Sequence, residues 1–192
     1  AEISKEDTVV EVGPGTGLLT KKLSEKAGRV VGVEKDRRLI SVLEENLKSF
    51  PNIEIVEADI LELDPRDLKL GSDYKIVANI PYYITGKLLR VLSELAKKPE
   101  VSVITIQREV AERLSATPPK MNLLAAAVQI WGKPEILGYL KPTDFSPAPK
   151  VESAIIKITP EAKNVDLERF FRLAKAVFKQ PRKTVLNNLS TG

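Results

Sequence analysis

The sequence has no cysteine, no histidine, a single methionine, a single tryptophan and only 5% aromatic residues. Without cysteine there are no disulfides, no thiolate metal sites and no thiol nucleophile. Without histidine there is no Ser-His-Asp triad, no imidazole acid–base catalysis and none of the usual zinc sites. No metal centre is expected. Apolar runs are short, and none approaches the ~20 residues a membrane-spanning helix needs. The opening Ala1-Glu2-Ile3-Ser4-Lys5 lacks a signal-peptide pattern. A cytoplasmic protein with no membrane partner is therefore expected. What is present, 43% hydrophobic and 29% charged residues over 192 positions, is the balance of one ordinary globular domain. Its chemistry must rest on carboxylates, amides, backbone groups or a cofactor.

Charge is distributed unevenly. The net charge of +4 lies entirely in residues 161–192, where seven basic side chains face three acidic ones. A basic helix suits a phosphate backbone, because cations release condensed counterions. A solvated helix face explains the same composition, and the charge alone does not separate the two.

Short β-rich runs alternate with helical stripes over the first hundred residues. Thr8 to Val12, Arg29 to Val33, Ile53 to Val56, Tyr74 to Ala78 and Val101 to Ile106 read as strands. Leucines at helical spacing follow the first run, Leu39 to Leu47 form a second stripe, and Thr85 is placed to cap a helix carrying Leu88 to Leu95. This alternation predicts an open, mostly parallel α/β sheet covered on both faces. Beyond Pro119 the pattern changes to an apolar block, Leu123 to Trp131, and a further strand within Val151 to Ile158. A Pro-rich loop, Lys141 to Pro149, lies between them. An antiparallel hairpin at the sheet's edge is expected there.

In such sheets ligands bind beyond the carboxyl ends of the strands. Gly13-x-Gly15-x-Gly17 follows the first strand, with the third glycine one place early for the dinucleotide fingerprint. Glu34 ends the second strand 21 positions after Gly13, where an acidic residue holds a ribose hydroxyl pair. Asp59 follows the third strand, placed to accept from the exocyclic amine of an adenine. Together these indicate an adenosine-bearing cofactor. The glycine spacing, and the lack of a phosphate-binding lysine in the turn, favour S-adenosylmethionine over NAD or ATP.

Asn79-Ile80-Pro81-Tyr82 ends the fourth strand. It combines an amide acceptor, a carbonyl beside a fixed φ, and an aromatic face for stacking a base. An adenine amine is a poor nucleophile because its lone pair is delocalised into the ring. Two acceptors on its N–H groups draw it toward tetrahedral geometry and aim the lone pair at a sulfonium methyl. No strong base is required, which suits a chain without histidine or cysteine.

With these motifs the chain resembles the ribosomal RNA adenine N6-dimethyltransferase family, which holds the small-subunit dimethylases and the erythromycin-resistance methylases of large-subunit RNA. The resemblance runs over nearly the whole chain. It rests on Glu11-Val-Gly-Pro-Gly-Thr-Gly17, Val33-Glu-Lys-Asp36, Glu57-Ala-Asp59, Asn79-Ile-Pro-Tyr82, Gln107-Arg-Glu-Val-Ala-Glu-Arg113 and Phe145-Ser-Pro-Ala-Pro-Lys-Val-Glu-Ser153. It implies a Rossmann-like class I methyltransferase using S-adenosylmethionine. Gly13 and Gly15, with Glu11 nearby, would cradle the methionine part. Glu34 would bind the ribose, and Asp59 with the Ile60 backbone the adenine; Lys35 and Asn79 complete the cofactor set. Asn79 and the Pro81 carbonyl would hold the target amine, and Tyr82 and Phe145 would sandwich a flipped-out or single-stranded base. Lys179, Arg182 and Lys183 would contact RNA.

Pro14, Thr16 and the Phe145-to-Ser153 stretch lean toward the small-subunit type. Dimethylation of two neighbouring adenines near the 3′ end of that RNA is therefore favoured, in a monomeric enzyme acting on the small ribosomal subunit. A resistance-type large-subunit methylase, or a non-catalytic transcription factor on the same scaffold, is the alternative. The family usually opens with a Phe-Gly-Gln-Asn/His-Phe-Leu motif that this chain lacks. Residues 1–160 are thus expected to form the catalytic domain without that motif. Residues 161–192, with one helix from Asp166 to Leu189, would begin a truncated RNA-binding domain.

Overall fold

Valine and isoleucine dominate the strands, and strands so rich in β-branched residues are stable only when both faces are covered. A computed structural model describes residues 1–70, 73–163, 165–180 and 183–190. Five parallel strands come first: β1 (Thr8–Val12), β2 (Arg29–Glu34), β3 (Ile53–Glu57), β4 (Tyr74–Asn79) and β5 (Val101–Gln107). Between and after them lie α1 (Leu18–Ser24), α2 (Arg37–Leu47), α3 (Thr85–Glu94), α4 (Arg108–Leu114) and α5 (Leu123–Gln129). The strands β6 (Gly132–Leu140) and β7 (Ser153–Pro160) complete a seven-stranded sheet of order β3-β2-β1-β4-β5-β7-β6. β7 runs antiparallel to both β5 and β6, so the expected edge hairpin is present.

Successive valines face opposite sides of the sheet. Val10, Val12, Val31 and Val33 join Ile76, Ile104, Leu88, Leu92, Leu114 and Trp131 in the larger core cluster. Val9, Val30 and Val77 pack on the other face with Leu23 and Ala27 of the α1 region. Gly17 sits at the start of α1 at φ +86°, and a Cβ there would stand 3.2 Å from Leu47. Glycine at this point lets α2 close over the turn.

The chain differs from the sequence expectation in three places. The apolar block Leu123 to Trp131 is mostly helix, α5, and the first strand of the hairpin is β6, which the sequence reading leaves unassigned because Pro134 and a bulge between Ile136 and Gly138 break its alternation; an edge strand tolerates both. Thr85 does not cap α3: its hydroxyl is buried in the first turn without a hydrogen-bond partner among the described residues. The single helix expected from Asp166 to Leu189 is two, α6 (Leu167–Val177) and α7 (Val185–Leu189). The Asn188 amide donates to the carbonyls of Val177 (2.8 Å) and Gln180 (3.1 Å), tying α7 back onto the end of α6. The proline at 181 supplies no N–H for a continuous helix. Arg182 lies outside the described residues.

Candidate active site

The strand order reverses between β1 and β4: the chain builds outward from β1 through β2 to β3, then returns to β4 on β1's other side. At such a switch point the loops after the two strands part and leave a crevice. A cleft of about 760 Å³ opens there, lined by Gly13 after β1, Glu34 and Lys35 after β2, Asp59 and Ile60 after β3, and Pro81 after β4. Four strand-end segments distant in sequence thus meet as the alternating pattern predicts. A second groove of about 360 Å³, between α3, α5 and α6, is lined by Leu89, Leu124 and Phe171 and contains none of the expected site residues.

The glycine turn is held from below by the carboxylate of Glu34. Its Oε2 accepts from Gly15 N–H at 3.1 Å and its Oε1 from Asp36 N–H at 2.8 Å. Gly15 has φ +62° with open space where a Cβ would be, so the constraint there is backbone conformation, not packing. Asp36 caps α2 by accepting from Arg38 N–H, and the Arg38 side chain holds its carboxyl down at about 2.

Glu11 is 2% exposed, and its Oε2 has no hydrogen-bond partner among the described residues. Burial pushes this carboxyl up to about 7. The Thr20 hydroxyl, outside hydrogen-bonding geometry, opposes the shift in part, and the charge of Glu34 adds to it. A buried carboxyl with a vacant acceptor is costly unless a donor or cation arrives. That requirement, with the glycine turn and the carboxylate of Glu34, fits the cationic methionine part and ribose of S-adenosylmethionine.

Asp59 Oδ1 accepts from Leu61 N–H at 2.9 Å, while Oδ2 meets Lys35 Nζ at 2.7 Å. The Lys35 ammonium, and then the Leu61 amide, hold the Asp59 carboxyl below its usual range. Asp59 is thus ionised and acceptor-only, as an adenine amine requires.

Asn79 is the last residue of β4 and is exposed, and its side-chain amide makes no hydrogen bond among the described residues. Ile80 beneath it is buried and anchors the turn in the core. The Pro81 carbonyl accepts from Ile84 N–H at 3.2 Å, which leaves one lone pair open. The Ile80 carbonyl accepts none among the described residues. Tyr82 is half-buried in a short 3-10 turn, its phenol oxygen 2.6 Å from Ser153 Oγ. Phe145 is half-buried at the end of the 3-10 turn 142–144 and belongs to neither core cluster.

Gly13, Glu34, Lys35, Asp59, Ile60 and Pro81 therefore share the cleft wall. Glu11 lies buried, Gly15 is joined to the wall through Glu34, and Asn79 and Tyr82 flank Pro81; Phe145 is not on the cleft wall. Tyr83, 84% exposed, and Lys87 also line the cleft, unforeseen from the sequence. Their position one residue and one helical turn beyond the Asn79 motif was the available signal. Lys179 and Lys183 follow α6 and are not among the residues of the cleft wall. No helix among the described residues is long and apolar enough to cross a membrane.

The model of the ribosomal RNA adenine dimethylase family matches residues 1–192. A ribosomal RNA small subunit methyltransferase A of Dehalococcoides mccartyi is 42% identical over all of this chain, which spans 68% of that relative. Among solved structures, a dimethyladenosine transferase from Plasmodium falciparum superposes with TM-score 0.85 at 28% identity, covering 98% of this chain and 69% of its own. The 23S rRNA methyltransferase ErmE gives TM-score 0.83 at 29% identity, covering 100% of this chain and 78% of its own. Matched along its full length by that family's model and folded like its solved relatives, the chain belongs to the ribosomal RNA adenine dimethylase family.

Proposed function

We propose that this chain transfers methyl groups from S-adenosylmethionine to the N6 amine of adenine in ribosomal RNA, dimethylating two adjacent adenines near the 3′ end of the small-subunit RNA. The observation that carries the reading is the unengaged amide of Asn79, at the end of β4 and beside a cleft walled by Glu34 and Asp59. The similarity to small-subunit methyltransferases at 42% identity, against 29% for ErmE, favours the small-subunit substrate.

When bound, the cofactor supplies an electrophilic methyl on a sulfonium. Glu11 and the Gly13–Gly15 turn receive its cationic methionine part, Glu34 its ribose, and Asp59 with the Ile60 backbone its adenine; Lys35 closes that side. Asn79 Oδ1 and a main-chain carbonyl of Ile80-Pro81 accept the two N–H groups of the target amine. Of those carbonyls, that of Ile80 has both lone pairs open. These acceptors localise the nitrogen lone pair, and the proton leaves to solvent once methylation has made it acidic. Tyr82 and Phe145 hold the base by stacking, worth ~1–3 kcal/mol per base. Lys179, Arg182 and Lys183 supply phosphate contacts from a C-terminal segment that begins an RNA-binding unit, and residues 1–160 form the catalytic one. The enzyme acts as a monomer in the cytoplasm.

The test is transfer of labelled methyl from the cofactor to unmethylated small ribosomal subunits. Product nucleosides identified by mass spectrometry as dimethyladenosine support the reading; methylation confined to large-subunit RNA would move it to the resistance type. Binding without transfer to any RNA would make the chain a non-catalytic factor.

A further inference from the structure

Tyrosine and phenylalanine stack on a base equally well, so the hydroxyl at position 82 is not explained by stacking. Its partner is the explanation. Ser153 Oγ lies 2.6 Å from the Tyr82 oxygen, joining residues 71 positions apart. Ser153 is fully buried. It is also the first residue of β7, and its Cα is in register with Gln107 of β5 on one side and Leu140 of β6 on the other. A serine clamped between two strands cannot follow a moving ring, so its hydroxyl is a fixed point.

We propose that Ser153 is a positioning residue for the target base, fixing the plane of the Tyr82 ring from its far end. This rests on the base-stacking role given to Tyr82 above. A tyrosine ring swings about two side-chain torsions; pinning the phenol oxygen, which lies on the ring axis farthest from the backbone, removes the swing about the first and leaves only a flip about the axis. The stacking face is then held ready before the base arrives, and its ordering cost is met in folding and not on binding. The same serine closes the Pro-rich loop 141–152 that carries Phe145. A hydroxyl pair that only satisfied one buried and one half-buried group would leave base stacking unchanged when removed.

The test uses the 192-residue chain and a short RNA with 2-aminopurine at the target position, whose fluorescence is quenched on stacking, alongside methyl transfer to the unmodified RNA. Ser153→Ala and Tyr82→Phe each remove the bond from one end. Each is expected to weaken the quench and lower kcat about three- to tenfold, the size of one net hydrogen bond. The double variant should be no worse than either single one, with cofactor affinity unchanged. Tyr82→Phe leaves β7 untouched and reads the bond even if Ser153→Ala folds poorly. Wild-type quench and turnover in Tyr82→Phe, or losses that add in the double variant, would overturn the proposal. Tyr82→Ala separates the two layers: if it abolishes quench while Tyr82→Phe is silent, only the Ser153 inference fails. If Tyr82→Ala is itself silent, the stacking role falls as well.

Discussion

Glu11 is the residue whose ionisation the fold opposes most clearly, with its carboxyl at about 7 against an ordinary 4.5. The folded chain therefore holds this proton to higher pH than the unfolded chain does. Stability attributable to Glu11 should fall as pH climbs from about 4.5 to about 7 and stay level above, by roughly 3 kcal/mol at most. Urea titrations at pH 5 and pH 8 will show the drop, and Glu11→Gln should flatten it. Ligand binding inverts the sign. A cation set beside Glu11 favours the carboxylate, so binding releases a proton and affinity tightens as pH rises toward 7 and then levels. Calorimetry of S-adenosylmethionine in buffers of different ionisation heat should detect that proton in the wild type and miss it in Glu11→Gln. At the same scale, Asn79→Ala should cut methyl transfer about 100-fold or more, the usual loss when one preorganised transition-state contact is removed. Cofactor affinity, measured in the same calorimeter, should fall far less than methyl transfer does.

Among the elements, the five parallel strands were legible because buried valine and isoleucine runs ended in turn residues at regular intervals, and the edge hairpin because two late strands had no helix between them. β6 was obscured by Pro134, Gly132 and Gly138, residues that only an edge position with a bulge accommodates. The break between α6 and α7 was hidden because both helices continue one apolar pattern; what joins them is the tertiary contact of Asn188, 1% exposed, which periodicity cannot reveal. That Glu34 and Asp59 stand together on the cleft wall was readable from spacing, but Glu11 was singled out only through the resemblance, since a carboxylate inside a valine strand looks like a pattern error until its burial is seen. Ser153 stood in a recognised motif without a reason for being serine. Asn188→Ala should strip two carbonyls at the end of α6 of their donor and cost about 1–3 kcal/mol. Thermal melts should register the loss, and hydrogen exchange should show α7 opening before the sheet.

Across the whole molecule, charge and chemistry are separated: the cleft wall carries the carboxylates of Glu34, Asp36, Asp59 and Glu62 against the two ammonium groups of Lys35 and Lys87, while the surplus of positive charge lies beyond residue 160. RNA affinity should therefore depend on salt through the C-terminal segment and hardly at all through the cleft. If Lys183 meets one phosphate, Lys183→Ala should reduce the slope of log K against log salt by about 0.7. Asn79→Ala should leave that slope alone. Filter binding from low to moderate salt distinguishes the two. The reversed direction of β7 has one more result. A strand laid against its neighbour's course presents its beginning, and not its end, at the rim where adenine is handled, so the segment entering it is free to vary in length without disturbing the pocket for the methyl donor. On the roles proposed above, the loop that carries Phe145 and the residues that would hold the donor lie on opposite halves of one sheet, so exchange of that loop should alter stacking of the target base and leave donor affinity intact.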